Sequence, residues 1–170
     1  MPGAVDGWAT AHEYGRWSVG TKLLWSSLFD EAVEYAERGY PISPSQAVWT
    51  GRNIEDASDP LRGLQRWEGF RRTFLKPNGE PYRPGEIMKQ PDLARSLKTI
   101  AYGGGRFFYD GDIARRIVRY LDQHGGILTE GDFYSHRSDW VEPIRVGERG
   151  CTAYGFPPNI QGMAALMILS

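Results

Sequence analysis

The sequence predicts a mostly helical α+β fold with one short β-hairpin near its C-terminal end. Two observations carry that expectation. Apolar residues recur at three- and four-residue spacings through several stretches punctuated by glycine and proline. Only Glu142 to Phe156 reads differently, as two short strands flanking the glycine-bounded turn Gly147-Glu148-Arg149-Gly150.

Taken in order, Met1-Pro2-Gly3 enters a helical stretch with Val5, Trp8 and Ala9. A helix is predicted from about Thr21 to Arg38, with one apolar row of Leu24, Leu28, Ala32 and Tyr35. An adjacent row of Trp25, Phe29, Val33 and Ala36 makes the stripe wide, so both rows need cover. Gly39 supplies a helix stop and Pro41 blocks continuation. From Pro44 to Leu75 runs a less regular helical region, interrupted at Asp59-Pro60 and carrying Leu61, Leu64, Trp67, Phe70 and Phe74. Lys76-Pro77-Asn78-Gly79 closes it as a turn.

A further helix starts at Pro91, where the missing N–H does no harm, and puts Leu93, Ala94, Leu97, Ile100 and Ala101 on one face. Gly103-Gly104-Gly105 stops it. The next, Asp112 to His124, directs Ile113, Ile117, Tyr120 and Leu121 inward and Arg115, Arg116, Arg119 and Asp122 outward. Thr129 and Asp132 have the spacing of a capping box for a short helix. After the hairpin, Pro157-Pro158 leads to a segment from Asn159, an N-cap residue, that becomes apolar on every side between Met163 and Leu169. That apolar stretch and the abrupt start predict a single segment over 1–170, incomplete at both ends, that self-associates when isolated. No repeat or linker marks a second domain.

Composition excludes several function classes. With a formal charge of -1 and a pI near 6.3, the chain offers no basic field for nucleic acid. No apolar run approaches the roughly 20 residues that span a bilayer, and no signal peptide is visible, which predicts a soluble protein of the cytoplasm or periplasm. Cys151 is the only cysteine, so an internal disulfide and a cysteine-rich zinc site are excluded; its strand position predicts a buried, structural thiol.

Motifs of chemistry are sparse. Gly103-Gly104-Gly105 follows a helix and lacks Gly-Lys-Ser/Thr, which favours a helix stop over a phosphate cradle. His12, His124 and His136 lie on separate elements, favouring surface or capping roles over a metal site. Asp110 and Asp112 flank Gly111 at a helix entrance, where the dipole accounts for acidic residues. Pro157-Pro158-Asn159-Ile160-Gln161-Gly162 reads as a rigid strand-to-helix corner in preference to a donor site built from free amides and Gln161. No cofactor motif, triad or nucleophile elbow is present, so no residue is assigned a catalytic, cofactor-binding or metal-ligating role.

The order of these features from Pro2 to Leu169 resembles the γ-glutamyltransferase family. The resemblance rests on Pro2-Gly3, Tyr14-Gly15, Glu31-Ala32-Val33-Glu34-Tyr35-Ala36 ending in Gly39-Tyr40, and Gln90-Pro91-Asp92-Leu93-Ala94 with Leu97. It continues through Phe108-Tyr109-x-Gly111-x-Ile113-Ala114, Gly125-Gly126-x-Leu128-Thr129-x-x-Asp132 and Phe156-Pro157-Pro158 to Gly162. The chain departs from the family in Glu31, which stands where proline is usual, in an extended connection between Tyr14 and Lys22, and in Asn159-Ile160-Gln161-Gly162, which replaces Ser-Ser-Gly-Gly.

This resemblance implies an internal piece of the large subunit of an αββα N-terminal-nucleophile hydrolase, a γ-glutamyltransferase, γ-glutamyl hydrolase or related acylase. It implies as partners the rest of the large subunit and a small catalytic subunit whose N-terminal threonine forms the acyl-enzyme on glutathione-type substrates. That nucleophile lies outside this chain, which is therefore expected to be inactive alone. The rival reading is a non-catalytic helical interaction module.

Overall fold

The computed structural model describes residues 1–55 and 63–169, so the interruption expected at Asp59-Pro60 and the apolar position Leu61 lie outside the described residues. The chain divides into two compact units, Met1–His136 and Arg137–Ser170.

The N-terminal unit is helical. Helix α1 (Ala4–Tyr14) runs into a single π-helical turn, Gly15–Val19. A 3-10 turn, Ser26–Phe29, then feeds α2 (Asp30–Arg38). The helix expected from Thr21 therefore starts later, because Thr21 N–H turns back to the Gly15 carbonyl at 3.1 Å and the Trp25 indole is drawn to the Ile100 carbonyl at 2.9 Å. Only one of its two apolar rows is covered. Phe29 and Ala36 are buried and Val33 half-buried, whereas Leu24, at 71% exposure, Leu28, Ala32 and Tyr35 face out.

Strand β1 (Tyr40–Pro41) follows, then α3 (Pro44–Glu55), a 3-10 turn at Leu64–Arg66 and α4 (Glu68–Phe74). Strand β2 (Ile87–Met88) pairs antiparallel with β1, Tyr40 opposite Met88, a ladder too short to read from sequence. Gly39 makes this pairing possible: its φ is +95°, and a Cβ there would lie 2.5 Å from Ile87 Cγ2 and 2.9 Å from the Met88 carbonyl oxygen.

Helix α5 (Pro91–Gly103) packs along α2; Ala94, Ile100 and Ala101 are buried, Leu97 is half-buried, and Leu93, expected on this face, is exposed. The short α6 (Arg106–Tyr109) connects it to α7 (Asp112–Gln123), which contributes Ile113 and Ala114 to the core, and α8 (Glu130–Ser135) contributes Phe133. Tyr120 of α7 does not point inward; it is exposed and stacks on His124 at 4.1 Å. The capping box is present: Asp132 N–H donates to Thr129 Oγ1 at 3.2 Å and Thr129 N–H to Asp132 Oδ2 at 2.8 Å. The Thr129 hydroxyl donates to Asp132 Oδ2 at 2.7 Å, and this bond, with the one from the Thr129 N–H, holds the Asp132 carboxyl below its usual range.

In the C-terminal unit β3 (Ile144–Glu148) and β4 (Cys151–Gly155) pair antiparallel, Glu148 opposite Cys151. Two residues make the turn rather than four. Arg149 and Gly150 both have positive φ, 48° and 78°, the requirement of a turn that follows the strand twist. Helix α9 (Gly162–Leu169) packs on both strands and starts three residues after the expected cap at Asn159.

Candidate functional site

The best-built polar cluster of the N-terminal unit centres on Tyr109, which is buried at 1% exposure. Its hydroxyl donates to the Pro2 carbonyl at 2.9 Å and accepts the Asp6 N–H at 3.1 Å, so it ties the entry of α1 to α6. Burial raises its ionisation, and the Asp6 N–H bond and the Arg106 charge oppose that shift. The Arg106 guanidinium lies 5.2 Å from the ring centre, donates to the Tyr134 and His136 carbonyls at 2.9 and 3.0 Å, and approaches Asp6 Oδ1 at 3.7 Å. The His136 ring sits 5.2 Å from that of Tyr109. A neutral phenol whose hydroxyl is held by main-chain partners is not poised for proton transfer. The cluster clamps Pro2 and the end of α8 onto α6.

Sequence reading missed this cluster. Arg106 and Tyr109 share α6, but Asp6 lies 103 residues from Tyr109, and His136, which caps the end of α8 as well, lies 30 from Arg106. The only local hint was the Phe108-Tyr109 pair ahead of Gly111.

The other candidates do not converge. Gly104 N–H donates to the Ile100 carbonyl at 2.9 Å, so the glycine run acts as the helix stop expected of it. His12 bonds the Leu23 carbonyl at 2.9 Å and His124 the Tyr120 carbonyl at 2.7 Å, each serving its own neighbourhood. Among the described residues no three His, Cys, Asp or Glu side chains gather as a metal site would require. Asp112 takes ion pairs from Arg115 and Arg116 at 3.4 and 3.5 Å, a helix-entrance role, while Asp110 is exposed on a shallow cleft with Glu130.

Cys151 is exposed, which corrects the expectation of a buried thiol. A two-stranded hairpin has one covered face, and Cys151 sits beside the turn, beyond the half-buried Ala153 and Gly155. At the corner Gln161 is exposed and its carbonyl accepts the Ala165 N–H at 3.0 Å, opening α9. No helix among the described residues is long and apolar enough to cross a membrane.

Comparison with known proteins places this arrangement. The chain is 38% identical over its full length to a glutathione hydrolase-like proenzyme of Bacillus subtilis, of which it spans 30%. It is 34% identical to an oxamate amidohydrolase proenzyme of Klebsiella pneumoniae, over 99% of the chain and 30% of the relative. The crystal structure of a cephalosporin acylase from Bacillus halodurans superposes with a TM-score of 0.78 at 34% identity, over 99% of this chain and 30% of that one. The fold is that of a segment of an αββα N-terminal-nucleophile hydrolase. Residues 1–170 match the gamma-glutamyltranspeptidase family model throughout, and the chain belongs to that family.

Proposed function

We propose that the chain is a structural portion of a γ-glutamyltransferase or γ-glutamyl hydrolase acting on glutathione-type substrates. The acyl-enzyme forms on an N-terminal threonine outside residues 1–170. The single observation that carries this reading is the family match over residues 1–170.

The chemistry divides the labour. A threonine hydroxyl attacks the γ-glutamyl carbonyl with its own α-amino group as base, and backbone donors stabilise the oxyanion. Those groups belong to a small catalytic subunit, the partner of this chain together with the rest of the large subunit. The helices described above, clamped around Tyr109, are scaffold for that site. A second reading, an acylase for other amides, is favoured by the likeness to an oxamate amidohydrolase and a cephalosporin acylase.

A chromogenic γ-glutamyl anilide tests the proposal. The purified chain is expected to give no turnover. Expressed in frame with its downstream sequence, the protein is expected to cleave itself ahead of a threonine and release the dye. Turnover by the chain alone that survives repurification and is abolished by a substitution in it would overturn the reading, as would a longer protein that never cleaves itself. Hydrolysis of simple acyl amides in preference to the anilide would favour the acylase.

A further inference from the structure

The turn after α4 carries exposed Pro77, Asn78, Gly79 and Glu80. Asn78 Oδ1 accepts the Glu80 N–H at 3.1 Å, which folds the carboxamide back along the main chain that follows it. The next peptide nitrogen belongs to Gly79, and the place a Cβ would occupy there has no neighbouring atom within 4 Å. Gly79 is exposed and carries no side chain to shield its peptide from water and hydroxide. Its N–H donates to the Lys76 carbonyl at 2.8 Å, a bond that must open before the nitrogen can react.

The chain has two other asparagines, and both are followed by isoleucine, whose branched Cβ crowds the nitrogen. Asn53 is also held in α3, its Nδ2 donating to the Trp49 carbonyl at 2.8 Å. Asn159 precedes Ile160 at the corner before α9.

We propose that Asn78 is a site of spontaneous covalent modification, deamidating through a cyclic imide closed by the Gly79 nitrogen. Hydroxide removes the Gly79 amide proton, and the freed electron pair bonds to Asn78 Cγ. The resulting oxyanion at Oδ1 faces the Glu80 N–H. The Cγ–Nδ2 bond then breaks, and the nitrogen takes a proton from water and leaves as ammonia. Water opens the imide at either carbonyl, leaving aspartate or isoaspartate at position 78. One water enters, one ammonia leaves, and nothing is oxidised or reduced.

The product changes its surroundings. A new carboxylate appears in the turn that Lys76 opens, and Lys76 Nζ already pairs with Glu80 and Glu86 at 3.6 and 3.2 Å. Isoaspartate also adds a methylene to a turn closed by the Lys76 N–H to Glu80 carbonyl bond at 2.8 Å.

The test is a time course of the folded 170-residue chain in mildly alkaline buffer, with peptides mapped by mass spectrometry. The unmodified Asn78 peptide is expected to disappear progressively, isoaspartate exceeding aspartate, while the Asn53 and Asn159 peptides persist. An Asn78→Gln chain, with a side chain one methylene too long for the five-membered ring, is expected to form no isoaspartate in this peptide. An Asn78 peptide that stays intact, or that is lost no faster than the other two, overturns the proposal.

Discussion

Helix α7 buries Ile113 and Ala114 in the cluster that contains Phe133 and keeps Arg115, Arg116 and Arg119 in water, whereas α9 buries Leu166 against its hairpin and leaves Met163, Met167, Ile168 and Leu169 exposed. The first helix satisfies both its faces within its own unit. The second has one covered face and apolar residues all round, so it lacks the cover that α7 finds within its own unit. Two strands and one helix have too little surface to cover such a helix.

The largest effect that could break this contrast comes from the core into which α7 packs. Phe133 is fully buried, and Phe133→Ala is expected to lower stability by about 3–5 kcal/mol, read from urea unfolding. A loss under about 1 kcal/mol would show that the unit lacks the tight packing assigned to it.

Next in size is the exposed apolar surface of α9. Met167 and Ile168 are 68% and 85% exposed, and burying each is worth about 1.5–3 kcal/mol. The isolated chain is expected to self-associate as concentration rises, and Met167→Lys with Ile168→Lys to keep it monomeric in sedimentation. Leu166 is the wrong position for this test because it holds α9 on the hairpin. A parent chain that stays monomeric at high concentration removes the contrast.

Smallest is the clamp. Tyr109→Phe leaves the Pro2 carbonyl and Asp6 N–H without their partner and is expected to cost about 1–3 kcal/mol. The sign of its pH dependence follows from burial, which raises the folded ionisation above that of the unfolded chain. The folded state then holds the proton longer, so the contribution is full below a pH of about 10 and falls as pH climbs through the raised value. Alkaline unfolding of the parent should show this decline, and Tyr109→Phe should flatten it.

Much of the element order was legible because it is written in local chemistry. Pro91 starts α5, Gly104 ends it, and the Thr129 and Asp132 spacing opens α8, since each acts on main-chain groups within four residues. The ordered motifs were enough to place the chain in its family with no residue assigned a catalytic role. Where reading failed, a distant partner decided. The indole of Trp25 bonds residue 100 and the start of α2 shifted, and the thiol of Cys151, beside the hairpin turn, is exposed.

By itself, then, the sequence determined the helical punctuation, the hairpin, the capping box and the family, all of which depend on residue type at short spacing. Only the tertiary structure decided which apolar rows are buried, that Arg106, Tyr109 and His136 close on Pro2 and Asp6, and that β1 pairs with β2. Amphipathic periodicity marks a face that wants cover but carries no record of which segment, up to 107 residues away, will provide it.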